Sequence, residues 1–199
     1  MKPICPFRNC LAPVLFKRTW LCTFLFFHFT CLFSQTPISG IVNTYYKVNE
    51  VVPSKACLIV DDPTGLNVNT LVMVVQMKGA EIITANNATY GDILSLNDAG
   101  NYEIGTICYI IGDSVFLFHD LLNSYDVNAK VQMVQFAEYY SAEVVDSVKA
   151  MSWDSTTGLG GVIAIFTDQD ITLNAPIYAD SSGYSGGTYI FHAGTCPSV

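Results

Sequence analysis

The stretch GGVIAIFTDQDITLNAPIYADSSGYSGGTYIFHAG, residues 160–194, decides the predicted fold of this chain. A glycine pair followed by a short apolar run occurs twice in it, at Gly160-Gly161 and, 26 positions later, at Gly186-Gly187. Between the two pairs lie the apolar runs 171–173 and 177–179, each flanked by turn-forming residues. Three short strands with polar corners are typical of one rung of a parallel β-solenoid, with glycines at a tight corner.

An antiparallel meander of hairpins with glycine turns is the alternative interpretation of the same stretch. A solenoid buries its core only against stacked neighbours, and about three or more repeats are usually needed. We therefore predict that residues 141–199 begin a right-handed, β-helix-like parallel solenoid, and we expect further rungs in a longer protein.

Residues 1–35 have the pattern of a secretory signal peptide. Four basic residues precede an apolar stretch at 20–33, which ends in small and polar residues. The stretch is too short to cross a bilayer core of ~30 Å comfortably. An uncleaved membrane anchor is the alternative, because His28 and Thr30 interrupt the apolar run. We expect cleavage near residues 34–36, export from the cytoplasm, and no stable membrane span after cleavage.

The predicted exported part is strongly acidic. Of the nine basic residues in the chain, four lie within residues 1–35, which leaves five lysines against 17 acids and a net charge of −12. No arginine follows Arg18. Binding to phosphate or sulfate polymers depends on Lys and Arg. This composition therefore argues against nucleic acid and against acidic polysaccharides as partners.

Residues 36–140 are predicted to form a barrel-like β domain, which makes the whole chain all-β. Runs rich in Val, Ile, Tyr and Phe alternate with turn residues, as expected for short strands. The clearest hairpin joins 104–111 to 115–118 through Gly112-Asp113, a pair suited to a tight turn. Residues 138–151 alone show a helix-like spacing, through Tyr140, Val144, Val148 and Met151, and predict a short bridging helix.

The three cysteines beyond the predicted leader, Cys57, Cys108 and Cys196, are odd in number and widely spaced. Cys57 and Cys108 lie in predicted strands and are interpreted as buried thiols, with a disulfide between them as the alternative in an oxidising compartment. His119 and His192 are too scattered to complete a zinc site with them. We predict no metal and no cofactor.

Several segments in combination resemble the amino-terminal region of large secreted surface or adhesin-like proteins of Bacteroidota. Those proteins often end in a type IX secretion sorting domain of the gliding-motility-associated kind. The resemblance covers nearly all of residues 37–194 and implies export and surface display, with no assured activity. This sequence differs from the pattern of those proteins at residues 67–70, because the resemblance leads one to expect Val-Gly-Asp after Gly-Leu. The segments that carry it are ISGIVNTYY (38–46), GLNVNTLVMVVQMKG (65–79), LNDAGNYE (96–103), LLNSYD (121–126), KVQMV (130–134), WDSTTG (153–158) and GYSGG (183–187).

No catalytic residue is predicted. Asp168, Asp170 and Asp180 offer oxygens to calcium, which takes roughly 6–8 ligands, but they match no known calcium loop, so we interpret them as solvated corner residues. The segment 183–187 fits Gly-x-Ser-x-Gly, yet Ser185 is followed by a strand-like run instead of a helix. It also lacks the lysine and the helix of a phosphate loop. The sequence does not indicate which two of the 17 acidic residues would form the catalytic carboxylate pair of a glycosidase.

Aromatic residues provide the best argument for a binding role. Tyrosine pairs occur at 45–46 and 139–140, and Trp153 lies in a polar segment. Exposed Tyr and Trp suit interfaces and sugars, although alternating Tyr in strands is ordinary sheet packing. The tripeptides 87–89, 113–115 and 146–148 fit glycosylation patterns that arise easily by chance.

We therefore expect a non-enzymatic, secreted cell-surface module, adhesin-like or envelope-associated, within a larger exported protein. Its expected partners are surface glycans, other envelope proteins and downstream domains of the same chain. The alternative is the amino-terminal part of a secreted glycan-active β-helix enzyme or carbohydrate-binding protein.

Overall fold

The computed structural model describes residues 35–184 as strands, turns and two short 3-10 segments, with no α-helix in that range. The all-β prediction is confirmed. The strands are β1 (Thr36–Gly40), β2 (Thr44–Val52), β3 (Cys57–Val60), β4 (Leu71–Gln76), β5 (Glu81–Ile82), β6 (Ile93–Ser95), β7 (Tyr102–Ile111), β8 (Ser114–Leu117), β9 (Val131–Gln135), β10 (Ala137–Tyr139), β11 (Ala142–Lys149), β12 (Ile165–Thr167), β13 (Ile171–Leu173) and β14 (Ile177–Tyr178).

Six antiparallel strands pair in a closed order, β2-β3-β8-β7-β4-β9 and back to β2. This barrel lies inside the range in which the sequence predicts a barrel-like domain. Alternate residues of its strands point inward and are buried, as the period of two requires. The predicted hairpin is present, with β7 and β8 joined through Gly112 at φ +54. The buried core of the barrel includes Tyr46, Val48, Leu58, Val60, Val72, Val74, Ile107, Val115, Leu117, Val131 and Met133.

A second group of strands pairs in parallel. The strand β11 lies between β1 on one side and β13 and β14 on the other, while β10 pairs with β12. Apart from the β1–β11 pair, the partners lie at nearly constant sequence separation: Ile165 pairs with Ala137, 28 positions earlier, and Ile171 with Ala142, 29 positions earlier. These parallel pairings are not those of an antiparallel meander. The second glycine pair and the apolar run 188–191 lie outside the described residues.

The predicted helix over 138–151 is wrong, because β10 and β11 occupy this segment. A spacing of four positions is a multiple of the strand period as well as close to one helical turn, so Val144 and Val148 fit one face of either structure. Both are fully buried on β11, against Ile38 of β1. The β-branched residues of the segment favour the strand, since their χ1 freedom is restricted in a helix.

At the first glycine pair, Gly160-Gly161, two backbone segments cross in close contact. Gly160 has φ +100, and a Cβ there would lie 2.7 Å from the carbonyl oxygen of Ser152 and 2.8 Å from that of Met151. Gly161 has φ +77 and donates its N–H to the Met151 carbonyl at 2.8 Å. Both the left-handed conformation and the short contact require a residue without a side chain.

Buried side-chain amides hold residues 160–164 on the barrel. Gln132 is fully buried and exchanges two 2.9 Å hydrogen bonds with the backbone N–H and carbonyl of Gly160. Asn43 does the same for Ala164, accepting from its N–H at 3.0 Å and donating to its carbonyl at 2.6 Å. The Tyr45 hydroxyl donates to the carbonyl of Val162 at 2.6 Å. These bonds satisfy a backbone segment that belongs to no strand.

A left-handed turn at Asn69 lies within residues 67–70, where the sequence departs from the resemblance. Asn69 has φ +63, a conformation that asparagine tolerates better than most residues. Its N–H donates to the carbonyl of Ile107 at 2.7 Å and so ties the loop to β7.

The interpretation of both strand cysteines as free thiols holds for Cys57 and is wrong for Cys108. Cys57 is a buried free thiol in the barrel, and its burial raises its pKa, although a hydrogen bond with Ser114 acts in the opposite direction. Cys108 is disulfide-bonded. Its partner is not Cys57, so the alternative of a Cys57–Cys108 bridge is also wrong.

Alkaline pH should destabilise the fold through its buried phenols. Burial is the largest cause that raises the pKa values of Tyr45, Tyr46, Tyr125 and Tyr139 above the ordinary value of ~10. The folded state therefore holds protons that the unfolded chain releases first. The contribution of these phenols to stability should be constant up to about pH 10 and fall above it. Urea unfolding at a series of pH values measures this dependence.

Tyr125→Phe removes one of these groups and should flatten the decline above pH 10. The hydroxyl of Tyr125 donates to Glu103 Oε1 at 3.0 Å, and the neighbouring carboxylate further raises the tyrosine pKa. Tyr90→Phe, at an exposed position, is the matched control. Equal slopes for the Tyr125→Phe variant and the unmodified chain would show that burial of this phenol is not a source of the alkaline loss.

Candidate functional site

The three aspartates considered for calcium lie at turns. Asp168 and Asp170 are exposed between β12 and β13, and Asp180 is exposed after β14. Nowhere in residues 35–184 do three His, Cys, Asp or Glu side chains converge in a group suited to a metal ion. Ser185, His192 and Cys196 lie outside the described residues, and His119 is exposed just after β8.

The tyrosine pairs separate into packed and exposed members. Tyr46 is buried in the barrel core, and Tyr45 is half-buried, with its hydroxyl bonded to the backbone of residue 162. Tyr139 is half-buried against the cluster around Val144. Tyr140 alone of the four is exposed, with 53% of its surface accessible. Packing within the fold therefore accounts for Tyr45, Tyr46 and Tyr139, and Tyr140 is the remaining candidate for binding.

The polar sequence neighbours of Trp153 suggest an exposed loop, but the structure places the Trp153 side chain in a buried position. It is 6% exposed and stacks on Tyr184, with ring centroids 4.5 Å apart and planes inclined by 20°. The Lys78 ammonium lies 5.5 Å from the Trp153 ring and 5.4 Å from the Tyr184 ring, within cation–π range. The backbone N–H of Trp153 donates to the Ser182 carbonyl at 2.8 Å, which holds the residue at the junction between barrel and parallel strands.

The tripeptides that fit glycosylation patterns lie in two settings. Residues 87–89 are exposed in the loop between β5 and β6, where the Asn87 side chain accepts hydrogen bonds from Thr89 N–H and Oγ1. Ser114 begins β8 and Ser147 lies within β11, each followed by a fully buried valine.

An open cleft of about 500 Å³ lies where three parallel strands begin. The residues that precede β1, β11 and β13 line it, together with one residue of β11. We call it the corner cleft, and its lining residues are Gln35, Tyr140, Ser141, Glu143, Gln169 and Asp170.

The parallel register brings these residues together. Thr36 pairs with Ala142 and Ala142 with Ile171, so the preceding residues Gln35, Ser141 and Asp170 fall in one row across the strands. Hydrogen bonds between successive strands fix the row. Thr36 N–H donates to the Ser141 carbonyl at 2.9 Å, and Ala142 N–H donates to the Asp170 carbonyl at 3.1 Å.

Side chains hold the polar groups of the corner cleft in place. Ser141 Oγ donates to the Asp170 carbonyl at 2.9 Å, and the Gln35 amide reaches Thr172 Oγ1 on β13 at 3.0 Å. Asn174 Nδ2 donates to Glu143 Oε1 at 2.6 Å, which orients that carboxylate. The cleft therefore combines an exposed aromatic ring with two amides and two carboxylates, and none of its lining residues is basic.

The sequence contains no local signal for this cleft. Its residues come from three separate segments, and only the pairing of β1, β11 and β13 unites them. Two of its lining residues stand out in the sequence, Tyr140 as an aromatic candidate for binding and Asp170 as an oxygen donor for calcium. The structure places both in the lining of one cleft together with Glu143.

No helix within residues 35–184 combines the length and apolar character that crossing a membrane requires.

No protein-family model matches the chain, and no curated protein matches it. Among solved structures it is similar to the gp54 tailspike of Acinetobacter baumannii bacteriophage AP22, which was determined in complex with A. baumannii capsular saccharide. That match has 6% identity and a TM-score of 0.34, and covers 67% of this chain and 24% of the tailspike. The tailspike gp49 of Pseudomonas phage LKA1 matches with 13% identity and a TM-score of 0.31, over 75% of this chain and 25% of the tailspike. The chain thus spans about a quarter of the length of each.

Proposed function

We propose that this chain is the amino-terminal part of an exported, non-enzymatic cell-surface module that binds carbohydrate in the corner cleft. The observation that carries the proposal is the composition of the cleft. A partly accessible tyrosine beside amide and carboxylate groups suits a sugar, which presents both C–H faces and hydroxyls. The acidic charge and the lack of arginine after residue 18 are consistent with a partner that is not a polyanion.

In this proposal, residues 1–35 are the leader that directs export, and the resemblance to surface proteins of Bacteroidota supports display on the outer surface. Sequencing the amino terminus of the protein recovered from the cell surface tests the export step. A mature chain that begins within residues 34–36 is the expected result. Recovery of the chain in the cytosol with residues 1–35 attached would contradict it.

We further propose that the parallel strands begin a right-handed solenoid. The separations of 28 and 29 positions between paired strands support rungs of nearly constant length. Among the described residues, β13 and β14 pair only with β11. Leu173 on β13 and Phe166 on β12 are exposed, and a further rung stacked on them would bury their side chains.

Tyr140→Ala should weaken glycan binding about tenfold or more, because truncating an aromatic hot-spot residue costs about 2 kcal/mol or more. A glycan array with the exported chain identifies a bound sugar, and calorimetric titration then measures its Kd. Tyr90→Ala, at an exposed tyrosine outside the corner cleft, is the matched control. Retention of no sugar by the unmodified chain, or equal affinity for the Tyr140→Ala variant, would contradict the proposal.

One observation favours a glycan-active enzyme as the second candidate. Glu143 on β11 and Asp170, just before β13, line the same cleft, and paired carboxylates are the usual catalysts of glycoside hydrolysis. Incubation of the bound glycan with the chain, followed by measurement of new reducing ends, distinguishes the candidates. Release that disappears in Glu143→Gln would establish the enzyme, whereas the binding module releases none.

A further inference from the structure

The charge of the corner cleft has a single sign. Of its six lining residues only Glu143 and Asp170 carry charge, and both are acidic. Resting on the proposed carbohydrate-binding function, we propose that the ligand is an amino sugar with a free, protonated amine, that is, a deacetylated hexosamine unit.

Asp170 is the group best placed to receive that ammonium. Its backbone carbonyl is held by Ser141 Oγ and by Ala142 N–H, which fixes the residue at the corner. Its carboxylate accepts no hydrogen bond from another described residue and lies on an exposed position. A carboxylate that is held at its backbone and open at its side chain offers a charge-assisted hydrogen bond to a cationic ligand.

Glu143 supplies the second negative charge in a fixed orientation. The 2.6 Å hydrogen bond from Asn174 engages Oε1. Two carboxylates in one cleft attract a cation and repel an acidic sugar such as a uronate. A divalent metal is a poorer fit, because the hard cations take six or more oxygen ligands and no group of three candidate ligands converges within residues 35–184.

The uncharged groups of the corner cleft suit the rest of the sugar. Tyr140 is 53% accessible, so its ring can contact the sugar C–H groups, and an ammonium near the ring would gain a cation–π contribution. The amides of Gln35 and Gln169 provide donors and acceptors for hydroxyls. An N-acetylated unit would keep these contacts but lose its attraction to the two carboxylates.

Three oligosaccharide probes of equal length test the inference on the exported chain: fully deacetylated glucosamine oligomers, N-acetylglucosamine oligomers and galacturonate oligomers. We expect the deacetylated oligomer to bind about tenfold more tightly than the acetylated one at pH 6 and low salt. The preference should shrink as salt rises and as the amine loses its proton at higher pH. The galacturonate oligomer should bind most weakly.

Asp170→Asn should reduce the preference for the deacetylated over the acetylated oligomer about three- to fivefold, the size expected for one exposed ion pair. Asp146→Asn is the matched control, an exposed aspartate on β11 outside the cleft. Binding with equal affinity for both oligomers, or tighter binding of the acetylated or uronate oligomer, would overturn this inference and leave carbohydrate binding intact. Failure of every oligosaccharide to bind would overturn the proposed function itself.

Discussion

Gly160→Ala should lower the free energy of unfolding by about 4 kcal/mol, one of the largest effects expected from a single added methyl group in this chain. Two costs combine at this position. A residue with a Cβ is strained at φ +100, and the Cβ would lie 2.7 and 2.8 Å from the carbonyl oxygens of Ser152 and Met151. Backbone atoms cannot swing away as the end of a flexible side chain can, so the segments 151–152 and 160–161 must separate.

Urea unfolding followed by circular dichroism measures this loss, with Gly183→Ala as the matched control. A Cβ on Gly183 would meet no atom within 4 Å, and the residue is exposed, so that variant should stay within about 0.5 kcal/mol of the unmodified chain. Equal stability of the two variants would show that the crossing at Gly160 is looser than described.

Asn43→Ala should lower the free energy of unfolding by about 3 kcal/mol. The Asn43 side chain is buried and forms hydrogen bonds with Ala164 N–H and C=O, as well as with the Gln135 carbonyl. Ala164 is itself buried, so removal of the amide leaves its backbone groups without partners and out of reach of water. Each unsatisfied buried group costs about 1–3 kcal/mol.

Asn49→Ala provides the comparison for this prediction. Asn49 is exposed on β2, and its amide reaches only Asp61 Oδ1 at 3.2 Å. Its loss should change stability by less than about 0.5 kcal/mol. A loss of similar size in both variants, measured by urea unfolding, would contradict the view that Asn43 holds residues 160–164 on the barrel.

The sequence predicts those parts of the fold that local patterns determine. Gly112-Asp113 between two apolar runs predicts the β7–β8 hairpin because a tight turn needs these residue types. The pair at Gly160-Gly161 predicts unusual backbone geometry, and both residues have positive φ. Cys57 lies in a predicted strand, and the structure places it at the start of β3.

The remaining features depend on contacts distant in the sequence. Asn43 and Gln132 resemble surface residues beside apolar runs, and only the path of residues 160–164 gives each a buried partner. Trp153 has polar neighbours in sequence, yet its stacking on Tyr184, 31 positions later, buries it. The corner cleft depends on the register of three strands, and a shift of one residue in that register would move its side chains to the opposite face.

The pairing of β1 with β11 has a consequence for the order of folding. Ile38 lies beside Val144, so 106 positions separate the partners, and the whole barrel lies in the intervening chain. As the polypeptide emerges from a ribosome or a secretion channel, the first strand cannot find its mate until about 110 residues have followed it. Closing so long a loop has an entropic cost, which only contacts formed late in folding can offset. We therefore expect the barrel to be the earlier cooperative unit and the amino-terminal strand to dock afterwards.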